Sequence, residues 1–128
     1  MADAAYLVDV GQAIVTAAVA ALGATAPKFI QWGTGATGAA TTDSAVETPA
    51  AEARTTGTIT SEQTTTAGDT VRVVGTIVCA GAGKAITEVG LYTNATTGTL
   101  FVHGTFSAIN VSVGDSIAFT INSVFNQA

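Results

Sequence analysis

Ile86-Thr-Glu-Val-Gly-Leu-Tyr92, a turn from Asn94 to Gly98, Leu100-Phe-Val-His-Gly-Thr-Phe106 and Ile117-Ala-Phe-Thr-Ile121 follow one another as short runs of period two. Alternation of apolar with small polar residues is the pattern of half-buried strands, and breaks built from Gly and Asp signal hairpins rather than helical crossovers. The stretch therefore builds a sheet, and nothing in it is reactive. Working outward, strands are expected over residues 56–65, 70–79, 86–93, 99–106, 109–113 and 116–125, with Lys28-Phe-Ile-Gln-Trp32 as an earlier one. In the last of these Ile117, Phe119, Ile121 and Phe125 share one face, which is expected to form the core with Leu100, Val102 and Phe106. Residues 70–79 are apolar on both faces, through Val71, Val73 and Ile77 on one and Val74 and Val78 on the other. Such a strand is covered on both sides, by a helix or by another chain.

Upstream, Asp9 followed three residues later by Gln12 reads as a capping box, and Val10, Ile14, Ala18, Ala21 and Leu22 recur at helical spacing. A helix over residues 9–23 is expected to bury that stripe, with Gly23 and Pro27 as its stop. Residues 1–8 form an arm whose Tyr6, Leu7 and Val8 have no place on the stripe. Residues 33–53 follow neither period and read as a long loop, of a length that is usually functional or ordered by a partner. Two breaks share a formula, Ala67-Gly-Asp-Thr-Val71 and Val113-Gly-Asp-Ser-Ile117, each placing Gly-Asp just before a strand.

The 128 residues fit one domain, residues 1–128, with a sandwich over 28–128. Hydrophobic residues make up 48% and charged residues only 10%, against roughly 25–35% charge on a typical soluble surface. That deficit implies a surface covered in part by neighbouring chains. With a net charge of −5 and only Lys28, Arg54, Arg72 and Lys84 as cations, no patch can neutralise several phosphates, which excludes nucleic acid and disfavours an anionic membrane surface. The single Cys79 allows no internal disulfide and no thiolate zinc cage, and its phase with Val71, Val73 and Ile77 makes it a small buried hydrophobe. Residues 10–22 are apolar but follow Asp3 and Asp9, with no Lys or Arg before Lys28, so they lack the positive start of a secretory signal. They are also shorter than the ~20 residues that span a bilayer.

Each motif with a chemical reading fails on its surroundings. Gly33-Thr-Gly-Ala-Thr-Gly38 follows a strand as a dinucleotide fingerprint should, yet Thr41, Thr42, Asp43 and Pro49 stand where a helix must open. Gly81-Ala-Gly-Lys84 lacks the Ser or Thr of a phosphate loop and reads as a hairpin loop. His103, the only histidine, lies on the strand face opposite Leu100, Val102 and Phe106 and reads as a surface or interface residue. Asp43, Glu47 and Glu52 are the densest carboxylates, far from a calcium-loop ladder. Asn94-Ala-Thr96 and Asn110-Val-Ser112 match the glycosylation acceptor by accident of composition, and Trp32 is read as a core aromatic. No catalytic, cofactor-binding or metal-ligating residue is assigned, and no enzymatic activity is expected.

Leu7-Val-Asp-Val-Gly-Gln-Ala13, Lys28-Phe-Ile-Gln-Trp-Gly-Thr-Gly35, Glu52-Ala-Arg54, Ile86-Thr-Glu-Val-Gly-Leu-Tyr92, Gly98-Thr-Leu-Phe101 and the run from Ile109 to Ile117 together resemble small structural proteins of tailed bacteriophages, over nearly the whole chain. The resemblance implies an all-β fold, a β-sandwich of jelly-roll type with one N-terminal α-helix, that assembles as symmetric oligomers. It implies a capsid decoration (cement) protein made in the host bacterial cytoplasm, carried on the outer capsid surface of the virion, and bridging subunits of the major capsid protein, as a trimer. A tail or fibre-attachment component is the alternative. A small carbohydrate-binding β-sandwich is a third reading, and would need Trp32, Tyr92 and Phe101 exposed in a row. The expected partner contacts are Tyr6, Leu7 and Val8 of the arm, and Gly33, Gly35 and Gly38 of the loop, whose missing side chains permit close backbone approach.

Overall fold

The computed structural model describes residues 5–125, so the first four residues of the arm lie outside it. The elements in order are α1 (Asp9–Ala20), a 3-10 turn at Gly23–Thr25, β1 (Phe29–Gly33), β2 (Thr55–Thr56), β3 (Thr58–Glu62), β4 (Thr70–Val78), β5 (Lys84–Tyr92), β6 (Leu100–Val111) and β7 (Ser116–Val124). They form two antiparallel sheets, ordered β2-β1-β5-β6 and β3-β4-β7. The protein is thus mostly β with one N-terminal helix, as an all-β sandwich requires.

Two strand boundaries differ from the sequence pattern, each for a local reason. The run expected over 56–65 divides at Gly57, whose N–H donates to the Lys28 carbonyl at 2.7 Å and where a Cβ would stand 2.7 Å from Val73 Cγ1. The bend carries the chain from one sheet to the other. Conversely, the runs at 99–106 and 109–113 join into β6, because the register passes from Glu88↔Thr105 to Ile86↔Ile109. Three β6 residues, Phe106 to Ala108, face the single Thr87 across this bulge. The two Gly-Asp breaks behave as their composition predicts. Gly68 and Gly114 have φ of 72° and 94°, while Asp69 and Asp115 accept hydrogen bonds from nearby backbone amides.

The core lies between the sheets and joins Ile30 and Trp32, Val73 and Ile77, Cys79, Ile86, Val89 and Leu91, Val111 and Phe119. Phe119 is met edge-on by Trp32 at a centroid distance of 6.4 Å and at 6.3 Å by Phe106. Trp32 and Cys79 are buried as expected. Of the other expected core residues, Val102, Phe106, Ile117 and Ile121 are half-buried against the cluster, while Leu100 and Phe125 stand outside it. Phe125 instead pairs with Phe101, ring centroids 6.5 Å apart.

The helix reverses its expected orientation. Val8 is the N-cap, with no side-chain hydrogen bond, so Asp9 and Gln12 form no capping box, and the helix ends at Ala20 rather than at 23. Gln12 and Thr16 are its buried residues, whereas Val10 and Ile14 are 74% and 70% exposed. Thr16 Oγ1 donates to the Gly68 carbonyl at 2.7 Å and lies 2.8 Å from Ser61 Oγ. Ala13 lies against Gly68, where a Cβ would come within 2.6 Å of it. This small, polar seat on β3 and the β3–β4 connection has no room for the larger apolar stripe, which therefore turns outward.

Candidate functional site

The loop 33–53 folds back over the outward face of the first sheet, where Glu88 and His103 wait beneath it. The bulge opposite Thr87 sets this up, because it places Ile86, Val89 and Leu91 on the core side while Glu88 takes the other side. Glu88 is fully buried. Its Oε2 accepts hydrogen bonds from the Gly35 and Thr48 amides at 2.7 and 2.8 Å, and its Oε1 from the Glu47 amide at 2.9 Å. His103 Nε2 stands 2.8 Å from the same Oε1, and His103 Nδ1 stands 2.7 Å from Asp43 Oδ2 in the loop. With a carboxylate oxygen at each ring nitrogen, both nitrogens must donate, which only the imidazolium can do. Thr87 Oγ1 donates to the Gly35 carbonyl and the Val46 amide donates to the Tyr92 hydroxyl, closing both ends of the loop onto β5.

The titration of the group follows from these contacts. Burial would push the Glu88 carboxyl up, but the amides of Thr48, Glu47 and Gly35 and the His103 ring hold it below its ordinary value. Burial likewise opposes a charge on His103, and the hydrogen bonds it donates to Asp43 and Glu88 outweigh it and raise its pKa. Asp43 is lowered, first by the Ala40 amide and then by His103. Neither ring nitrogen is left to take a proton from a bound molecule, so the arrangement is a latch for the loop. Among the described residues no set of three or more His, Cys, Asp or Glu side chains is placed to hold a metal ion.

Other scarce charges are spent in the same inward manner. Burial would raise the Glu52 carboxyl, but it accepts hydrogen bonds from the Ala80 amide, the Lys84 ammonium and the Trp32 indole, which hold it at about 2. Asp69 collects the amides of Thr64, Thr65 and Thr66 and the Thr70 hydroxyl, and is held well below the usual carboxylate range. The Arg54 guanidinium lies 3.5 Å from the Tyr92 ring centroid and donates to the carbonyls of Asn94 and Thr97. A chain with few charges has thus committed many of them to internal struts.

What faces outward instead is apolar. Tyr6 and Val8 of the arm are 76% and 59% exposed, Leu7 is half-buried, and Val10 and Ile14 on the helix and Leu22 just beyond its end are exposed as well. The loop glycines divide. Gly33 and Gly35 are buried, and their close approaches are internal, a Cβ on Gly35 falling 2.4 Å from Glu88 Oε2 and one on Gly33 falling 2.5 Å from the Thr48 carbonyl. Gly38 is exposed, with open space where a side chain would be. His103 is a correction to the sequence reading, since its side chain is only 6% exposed. Val102 and Phe106 do lie on the opposite face, but a second register shift at Leu91/Tyr92 brings Leu100 to the same face as His103, and the loop covers that face. Trp32 and Tyr92 are buried, so the aromatic row that carbohydrate binding would need is not exposed.

Sequence reasoning missed Glu88 altogether, although a carboxylate inside the run Ile86-Thr-Glu-Val-Gly-Leu-Tyr92, which holds no other charged residue, was the available signal. No protein family, no curated protein and no solved structure matches the chain.

Proposed function

We propose that the chain is a non-enzymatic structural protein of a tailed-phage virion that decorates the outer capsid surface and stabilises it by bridging neighbouring subunits of the major capsid protein. The observation that carries this reading is the outward strip of Tyr6, Val8, Val10, Ile14 and Leu22, set beside charges folded inward at Glu52, Asp69, Glu88 and Lys84. A side-chain set that spends its charge inside and leaves large apolar groups outside fits a molecule covered by other chains. The sequence resemblance adds the virion setting and a three-fold unit. A jelly-roll winding is the finer reading of the fold, supported by the chain's passing between the sheets at β2–β3, β4–β5 and β6–β7.

The test is to add the purified protein, and a form lacking residues 1–8, to particles from which it is missing. Full-length protein is expected to saturate the heads, and the truncated form to stay folded but bind more weakly. Binding confined to tails or fibres would favour the tail-component alternative, and equal binding of both forms would remove the arm from the contact.

A further inference from the structure

The sheet orders leave β6 and β7 each with one neighbour, side by side along one flank of the sandwich. A groove of about 690 Å³ opens between them, with Val102, Phe106, Ile109, Ile117, Phe119 and Ile121 among its lining. The two edges are not equivalent. β6 is bulged over Phe106 to Ala108, a distortion that spoils an edge as a template. β7 pairs with β4 in unbroken register from Thr70↔Val124 to Val78↔Ser116, and among the described residues no strand lies on its other side. Its sequence, SIAFTINSV, contains no charged residue and no proline, so it has none of the devices that keep an open edge from pairing.

We propose that β7 is where two copies of this chain meet, by antiparallel pairing of their β7 strands about a two-fold axis at Thr120. The occupant must bring a row of backbone donors and acceptors, so it is a strand, and it must suit an uncharged edge. A second β7 meets both conditions. Each copy carries a net charge of −5, and this edge lets two such copies approach with no like charges opposed. The axis sets Ser116 against Val124 and Ala118 against Asn122, all of them exposed in the single chain. Nine residues at about 3.3 Å each, across two sheets ~10 Å apart with their side chains, give an interface of roughly 600 Å² per copy. That approaches the ~800 Å² per partner of a standard stable interface. The second sheet would run on as six strands.

This contact rests on the open edge of β7 and not on the capsid reading, and it replaces the three-fold unit of the resemblance with a two-fold one. The experiment combines cross-linking with sedimentation. In a Thr120→Cys variant the two new thiols face each other across the axis within disulfide reach, whereas in Ala118→Cys they lie ~13 Å apart along the paired strands. Cys79 is buried and does not compete. Thr120→Cys is expected to oxidise to a covalent dimer in high yield, and Ala118→Cys to remain uncoupled. The unmodified chain is expected to sediment at twice its monomer mass at tens of micromolar, and Thr120→Lys, folded by near-ultraviolet circular dichroism, at the monomer mass. Equal or absent cross-linking of the two cysteine variants, or an unmodified chain that sediments as a monomer or closed trimer, would overturn the proposal. Binding to heads is read separately, so either failure leaves the capsid reading to its own test.

Discussion

His103 Nε2 and Glu88 Oε1 lie 2.8 Å apart on neighbouring strands, under a loop whose amides the same carboxylate collects. The pair turns the outward face of a sheet into an interior. A buried carboxylate that accepts several backbone hydrogen bonds and faces a cation is stable where it is and costly to neutralise. The loop 33–53 is accordingly a fixed part of the fold, and the surface left for partners is the arm, the helix and the open strand edge.

Glu88→Gln keeps the shape but exchanges an acceptor for a donor that faces backbone N–H groups. We expect a loss of about 3 kcal/mol in denaturant unfolding, since several charge-assisted bonds weaken and the His103 charge loses one of its two partners. A loss below about 1 kcal/mol would mean that the latch contributes little.

The latch should also have a pH window. Glu88 and Asp43 are lowered, so their contribution is present above the ordinary carboxylate value of about 4 and is lost as pH falls through the folded values. His103 is raised, so its contribution is full below about 6.5 and is lost as pH rises through its folded value. Hydrogen exchange at the Gly35 and Thr48 amides, corrected for intrinsic rates, should show greatest protection between about pH 5 and 6.5, with decline on both sides. A flat profile would contradict this account.

Phe119→Ala should cost about 3–5 kcal/mol, through lost burial and the cavity left between Trp32 and Phe106. Equilibrium denaturation measures it, and a cost under about 1 kcal/mol would show that the sheets do not pack through this ring.

Much of the fold was legible because period two survives in β4 and β7, and the face of Phe119 could be read directly from alternation, whereas in β5 the bulge breaks it between Ile86 and Val89. The Gly57 corner was hidden, since the strand continues on either side of it and only the proximity of Val73 and Lys28 explains the bend. The helix misled because Val10, Ile14 and Leu22 have the spacing of a buried stripe. What decides its orientation is the fit of Ala13 and Thr16 to Gly68 and Ser61, residues distant in sequence. The latch was invisible for a related reason. Asp43, Glu88 and His103 lie far apart in the chain, and periodicity assigns faces without telling which loop covers them.

Replacing both Val10 and Ile14 by Gln should leave thermal stability within about 0.5 kcal/mol of the unmodified chain, because both side chains are exposed. Attachment to particles should nevertheless weaken at least tenfold. Unchanged attachment would shift the contact away from the helix.

The central claim is that the arm and the outward helix strip hold this protein to the outside of a phage head. An image reconstruction of the virion, at a resolution that separates the helix from the sheets, tests it most directly. The account predicts density for the chain on the outer capsid surface, with Tyr6, Val8, Val10 and Ile14 turned toward the shell. Density on the tail or fibres, or on the head with that strip facing solvent, would contradict it.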